Sequence, residues 1–164
     1  MSVRLLVPDS GPLIALARLD LLALPASLYG DVLVPDVVWD DVFRQPPEVE
    51  RQRLSAAAEA GHLKVVAAAQ VATRQPSDPR LGAGERAAIE LARSRQAQVL
   101  IDERRGRRAA TEAGLVVVGT VGLLVRGRQL GLVGPLRPVL QHLRSSGSHL
   151  SQELTVHALS VLGE

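Results

Sequence analysis

The chain has 164 residues, a hydrophobic content of 46% and a formal net charge of +2. This length suits one domain, which we predict to span residues 1–164. The absence of cysteine excludes a disulfide framework, thiol catalysis and Cys-bound zinc or iron–sulfur sites. With one residue each of Phe, Trp, Tyr and Met, the core has to be built from Ala, Val, Leu and Ile, which favours helices packed on a sheet.

The first residues lack the charged start, the apolar stretch and the cleavage site of a secretory signal, and no apolar run approaches membrane-spanning length. We therefore expect a soluble cytoplasmic protein that does not act at a membrane. Lys64 is the only lysine, so most positive charge is on arginine, whose planar fork suits bidentate phosphate binding. A genomic preference for arginine codons explains the same bias, so the bias alone identifies no partner.

Short apolar runs alternate along the chain with segments of helical periodicity. The first run ends at Pro8, and Gly11-Pro12 is predicted to turn the chain into the next segment. The predicted strands are residues 3–7, 32–34, 63–67, 97–101 and 115–118. The third of them also suits a helix. The predicted helices are residues 13–18, 21–29, 36–43, 48–60, 81–92, 104–112, 121–129, 135–143 and 150–162.

The order of these segments predicts the fold class. Strands that alternate with helices imply βαβ units, so we predict an α/β fold with a central, mostly parallel sheet and helices on both faces. Residues 74–80 contain Pro76 and Pro79 and form the clearest predicted loop. Residues from about 135 to 164 form a predicted C-terminal helical tail.

Acidic residues follow two of the predicted strands directly. Asp9 comes after the first strand and Asp102 after the fourth, and parallel strands would bring both to the edge where α/β sheets bind ligands. Asp41 and Glu85 lie on two helices that are expected to leave the same edge. Crowded carboxylates repel one another unless a cation offsets them, and oxygen ligands select a hard cation such as Mg²⁺ or Mn²⁺.

Each acid also has a purely structural explanation. Asp9 suits the N-cap of the helix that follows it, and Glu85 in a first turn favours the helix dipole. Asp102 and Glu103 suit the N-cap and the first turn of the helix over residues 104–112. The joint arrival of several acids at one edge favours a site over these separate explanations.

Several short sequence blocks occur in an order that is typical of a known family. The blocks are Asp9-Ser10-Gly11-Pro12-Leu13-Ile14, Val34-Pro35, Asp41-Val42, Leu81-Gly82 with Gly84-Glu85, Leu100-Ile101-Asp102-Glu103 with Gly106-Arg107, and Gly119-Thr120 with Gly122 and Leu124. In this order and spacing the chain resembles the PIN-domain ribonucleases, in particular their VapC-like toxin branch. The resemblance covers nearly the whole chain.

The resemblance implies a three-layer α/β/α fold with an acidic cluster that binds one or two divalent ions, Mg²⁺ or Mn²⁺, and hydrolyses an RNA phosphodiester bond. Carried over position by position, the catalytic residues would be Asp9, Asp41, Glu85 and Asp102. The metal ligands would be Asp9, Glu85, Asp102 and Glu103. Asp41 stands where the family more often has glutamate. The adjacent acids Asp102 and Glu103 leave the alignment open by one residue; we favour Asp102 as the main ligand, because it comes first after the strand, and keep Glu103 as a second ligand.

Hydroxyl and arginine side chains near these acids are candidates for substrate binding. Ser10 and Thr120 would be hydroxyl neighbours of the cluster. On a helix Arg104, Arg107 and Arg108 share a face, which would place positive charge beside the site for RNA phosphates. A solvated face that balances the acidic site explains the same cluster, except that Arg107 matches a recurrent family position. The few aromatics favour substrate selection by shape and backbone contacts.

The resemblance also predicts partners. VapC-like toxins pair with a small antitoxin that covers the site, and they commonly form homodimers. The four histidines, at positions 62, 142, 149 and 157, are expected to be surface or packing residues. The alternative function is a PIN-like domain that has lost activity and binds RNA or protein, for which the shorter side chain of Asp41 is the best argument.

Overall fold

The computed structural model describes residues 4–44, 46–67 and 78–164. Within these residues five strands form one sheet: β1 (Leu5–Pro8), β2 (Asp31–Pro35), β3 (Lys64–Val66), β4 (Gln98–Leu100) and β5 (Val117–Val118). Their order is β3-β2-β1-β4-β5, and each neighbouring pair is parallel. The predicted α/β fold with a parallel central sheet is confirmed.

Helices connect the strands and continue beyond the last one. They are α1 (Ser10–Arg18), α2 (Leu24–Tyr29), α3 (Asp36–Val42), α4 (Glu48–Glu59), α5 (Ala83–Arg95), α6 (Arg104–Glu112), α7 (Thr120–Gln129), α8 (Leu136–Ser145) and α9 (Gln152–Leu162). Among the helices of the described residues, none has both the length and the apolar character needed to cross a bilayer.

The two faces of the sheet bury different sets of side chains. Alternate residues of a strand point to opposite faces. Leu6 and Val34 lie in a core shared with α1 to α4 and α7 to α9. Val7 and Val99 lie in a second core, built with α5 and α6. Helices therefore cover both faces, which produces the predicted three layers.

Some predicted boundaries differ from the structure. Helix α1 begins at Ser10, so Gly11-Pro12 lies in its first turn rather than in a turn before it. A proline is tolerated there because first-turn amides have no partner within the helix. Helix α2 begins at Leu24, three residues later than predicted. The segment at 63–67 is a strand, so its helical alternative is wrong. Residue 3, and residues 74–77 of the predicted loop, lie outside the described residues.

The predicted C-terminal tail packs against the rest of the fold. Leu136, Leu140 and Leu159 are buried in the first core. The Glu164 carboxylate accepts hydrogen bonds from Arg128 Nε and from the backbone N–H of Leu136, each at 2.7 Å. These bonds connect the end of α9 to α7 and to the first residue of α8. Helices α8 and α9 are thereby held where their connection borders the sheet edge.

The strand order reverses between β1 and β4. From β1 the chain moves outward to β2 and β3, and it returns to place β4 on the other side of β1. The backbone N–H of Asp9 donates to Leu100 O at 2.9 Å, which holds the ends of β1 and β4 together. A reversal of this kind leaves a crevice at the carboxyl ends of the strands, where ligands bind in open α/β sheets.

Candidate active site

A cleft of about 1220 Å³ opens at the carboxyl ends of β1 and β4. Helix α1 borders it on one side, and the segment between α8 and α9 borders it as well. The cleft is lined by all of the acids that the sequence singles out: Asp9, Asp41, Glu85, Asp102 and Glu103. The structure therefore brings the predicted carboxylates of two strand ends and two helices into one cleft.

Asp9 is the most buried of these acids. It is only 8% exposed and occupies the N-cap position of α1, yet its side chain forms no capping hydrogen bond. The pKa of Asp9 is raised to about 6, chiefly by burial and also by the carboxylates of Asp41, Glu103 and Asp102, against the lowering effect of the Ser10 amide. Helix capping does not explain this carboxylate, because its side chain forms no capping hydrogen bond and lines the cleft instead.

Glu85 combines a structural role with an unused oxygen. Its Oε1 accepts a hydrogen bond from the backbone N–H of Gly82 at 3.3 Å, which caps the start of α5. Its Oε2 is buried and has no hydrogen-bond partner among the described residues. Burial raises the pKa of Glu85, and the nearby charges of Glu103 and Asp9 add to the increase. A buried carboxylate oxygen without a donor is available to a cation.

Asp102 and Glu103 have different environments. Asp102 Oδ1 accepts the backbone N–H of Thr120 at 2.7 Å, and its Oδ2 accepts the Thr120 hydroxyl at 2.6 Å. Glu103 occupies the N-cap position of α6 without a capping hydrogen bond, and its charge raises the pKa of both Asp9 and Glu85. Asp102 is thus oriented by Thr120, and Glu103 lies close enough to the other acids to repel them.

Glycines of the quoted blocks make room for the acids. A Cβ atom on Gly84 would lie 3.4 Å from Asp9 Oδ1, and one on Gly119 would lie 3.3 Å from Asp102 Oδ1. A Cβ atom on Gly106 would lie 2.5 Å from Glu85 Oε2 and 2.9 Å from Ile101 Cγ2. Because real Cβ atoms do not approach so closely, Gly106 is required for the observed position of Glu85.

The donor set fits a hard divalent cation. Each charged ligand candidate in the cluster is a carboxylate, and carboxylate oxygens suit Mg²⁺ and Mn²⁺. The unpartnered Glu85 Oε2 is the clearest single position for such an ion. Within residues 4–44, 46–67 and 78–164, no three acidic or histidine side chains are close enough to form a preassembled metal site. The acids line the cleft without converging on one point.

Comparison with known families decides the classification. The family model DUF3368, described as a PIN domain, matches residues 5–164. The chain belongs to the PIN-domain family. Membership supports a nuclease-type function in general, and PIN domains generally use divalent metals.

A solved structure is similar to this PIN domain. It is a PilT N-terminus domain protein, SSO1118, from the hyperthermophilic archaeon Sulfolobus solfataricus P2. The TM-score is 0.53 at 14% sequence identity, with 90% of this chain and 98% of that chain covered. At this identity the likeness shows the fold alone. No curated protein matches the chain.

The structure places some of the predicted substrate-binding residues of this PIN domain in the cleft and others outside it. Ser10, Thr120 and Arg107 line the cleft. The Arg107 guanidinium also supports the backbone, because Nη1 donates to Ile101 O at 2.9 Å. Among the described residues, neither Arg104 nor Arg108 is part of the cleft lining.

Arg108 instead pairs with Glu112 on the exposed side of α6. Its Nε lies 3.0 Å from Glu112 Oε1. The alternative of a solvated arginine face therefore fits Arg108, and its role as a substrate contact stays a prediction.

The sequence interpretation missed several side chains in the cleft. Arg18, Arg44 and His149 line it together with Leu150 and Leu154. The sequence did contain an indication for Arg18. It lies four residues after Ile14 and eight after Ser10, which also line the cleft, so all three share one face of α1. For His149 and the two leucines no local signal exists, because the packing of α8 and α9 brings them to the cleft.

Proposed function

We propose that this PIN domain is a metal-dependent endoribonuclease of the VapC-like branch that hydrolyses RNA phosphodiester bonds with Mg²⁺ or Mn²⁺. One observation carries the proposal: Asp9, Asp41, Glu85 and Asp102, which come from four separate segments, line a single cleft. A cleft with several ionised acids requires a cation before it can accept a phosphate group.

The proposed chemistry assigns metal binding to four carboxylates and proton transfer to a fifth. Asp9, Glu85, Asp102 and Glu103 would hold the ion, and Thr120 would keep Asp102 in its observed orientation. When bound, Mg²⁺ or Mn²⁺ supplies Lewis acidity at the scissile phosphate and favours ionisation of the attacking water. Asp41, outside the proposed ligand set, would accept the proton of that water.

The decisive experiment is cleavage of single-stranded and structured RNA by the purified protein with Mg²⁺ or Mn²⁺. The variants are Asp9→Asn and, as a matched control, Asp40→Asn, since Asp40 is exposed on the same helix as Asp41 and does not line the cleft. We expect cleavage by wild type and Asp40→Asn, and none with EDTA or with Asp9→Asn. A matched DNA panel tests the preference for RNA.

Two results would contradict the proposal. Cleavage that persists at full rate in Asp9→Asn would indicate a contaminating nuclease. RNA binding without cleavage by metal-loaded wild type would favour the binding module instead, and Asp41→Glu would then test whether the shorter acid causes the loss of activity.

We further propose that the protein is the toxin of a toxin–antitoxin pair, that it forms a homodimer and that it acts in the cytoplasm. These proposals rest on the VapC-like sequence blocks. Induced expression of wild type should arrest growth, whereas Asp9→Asn should not. Co-expression with a small cognate antitoxin should restore growth and yield a complex that is inactive on RNA, and light scattering should report a dimer.

A further inference from the structure

Two arginines in the cleft form no ion pair with any residue that the structure describes. Arg18 is the last residue of α1, and Arg44 follows the end of α3. Both line the cleft. Within the part of the chain that the structure describes, neither guanidinium forms an ion pair, although five carboxylates line the same cleft. Their charge is therefore available to an anion that enters from outside.

The position of Arg18 relative to Asp9 follows from helix geometry. Asp9 occupies the N-cap position of α1 and Arg18 is its last residue, so nine residue steps separate them. At 1.5 Å of rise per residue this is about 13 Å along the helix axis. Ser10, Ile14 and Arg18 lie on one face, and each of them lines the cleft. The cleft therefore extends along α1 from the acids to a guanidinium.

Several apolar side chains line the same cleft. Ile14 of α1 lines the cleft together with Leu150 and Leu154, which come from the start of α9 and the segment before it. Leu154 is 43% exposed. An extended strand of RNA has alternating polar and apolar parts, namely phosphates and the faces of bases or riboses, which suit a cleft that holds acids, apolar side chains and cations.

We propose that Arg18 and Arg44 bind backbone phosphates of the RNA strand beyond the scissile phosphate, with Arg18 holding the strand where it leaves along α1. This proposal rests on the proposed nuclease function. Arg18 and Arg44 are then substrate-binding residues, a role that the sequence predicted for the arginines of α6. Because the contacts are to phosphates, they raise affinity for RNA of any sequence.

The test measures binding of fluorescein-labelled oligouridylates by anisotropy with Mg²⁺, in an Asp9→Asn background that prevents cleavage. The variants are Arg18→Gln and Arg44→Gln. The matched control is Arg95→Gln, because Arg95 is exposed at the far end of α5, away from the cleft. We expect each cleft variant to weaken binding of a long oligouridylate roughly fivefold and to reduce the slope of log K against log salt by about 0.7. Arg95→Gln should change neither.

Oligonucleotide length separates a phosphate contact from a structural effect. A dinucleotide bound at the acidic end should depend on Arg18 less than the long probe does, so Arg18→Gln should weaken its binding less. Arg18→Lys keeps the charge and should keep the salt slope. An unchanged affinity and slope for the long probe in both glutamine variants would overturn the proposal, as would an equal loss for the dinucleotide. RNA cleavage by the wild type decides the nuclease proposal separately.

Discussion

Both carboxylate oxygens of Asp102 accept hydrogen bonds from Thr120, one from its backbone N–H at 2.7 Å and the other from its hydroxyl at 2.6 Å. Asp102 follows β4, and Thr120 is the first residue of α7. The pair therefore connects the end of β4 to the start of α7, which α6 and β5 separate in the sequence. A carboxylate held from two directions keeps one orientation, which a metal ligand needs.

Replacement of Thr120 by valine should reduce activity through Asp102. Valine keeps the shape of threonine but removes the hydroxyl, so Asp102 Oδ2 loses its donor. We expect a loss of roughly tenfold in cleavage rate and in Mn²⁺ affinity, measured by calorimetry. Thr120→Ser keeps the hydroxyl and should retain most of both. If valine and wild type have equal Mn²⁺ affinity, the hydroxyl does not position Asp102.

Replacement of Gly106 by alanine should displace Glu85. The new methyl group would lie 2.5 Å from Glu85 Oε2, and Ile101 leaves no room on the other side. We expect a loss of about 1–3 kcal/mol in the free energy of unfolding from overpacking, together with lower activity. Gly122→Ala is the matched control for stability, since Gly122 also lies in a helix and a Cβ atom there would meet nothing within 4 Å. Equal stability of the Gly106 and Gly122 variants would contradict the close contact.

The metal-free protein should become less stable as pH rises. Asp9 has a pKa of about 6 in the folded chain and an ordinary value of 3.8, so the native state binds more protons than the unfolded state between these two values. Its contribution is complete below the lower value and is lost as pH rises through the higher one, by about 3 kcal/mol.

Urea unfolding with EDTA from about pH 4 to pH 7 measures this dependence. Asp9→Asn cannot ionise and should flatten the curve, with higher stability than wild type at neutral pH. Parallel curves for the two proteins would show that Asp9 is not the titrating group. Added Mn²⁺ should raise the stability of wild type at neutral pH more than that of Asp9→Asn, because ligand binding favours the folded state.

Loss of the Glu164 carboxylate should loosen the C-terminal helices. Hydrogen bonds from Arg128 Nε and from the Leu136 amide hold the pKa of Glu164 below its usual range, so its stabilising effect is lost as pH falls through that lowered pKa. Glu164→Gln should lower the melting temperature by a few degrees and increase hydrogen exchange in α8 and α9. Glu59→Gln, on exposed α4 surface, should change neither. Unchanged exchange in Glu164→Gln would show that packing alone holds these helices.

The sequence by itself determined the parallel α/β fold and the candidate acids. Short apolar runs between periodic helices specify strands and crossovers, because local periodicity decides which face of each element is buried. Because the strands are parallel and each of these acids follows a strand, Asp9 and Asp102 have to lie at the same edge of the sheet. The prediction that Asp41 and Glu85 line that cleft follows from the same rule, and the geometry agrees with it.

Only the tertiary structure decided which cations and which apolar residues border those acids. Arg108 turned toward Glu112, whereas Arg18 and Arg44 line the cleft without an acidic partner among the described residues. Leu150 and Leu154 reach the cleft because α8 and α9 pack on the core and Glu164 holds them there. Such placements depend on contacts between residues distant in the chain, and no local pattern specifies which of several exposed arginines or leucines will meet a given carboxylate.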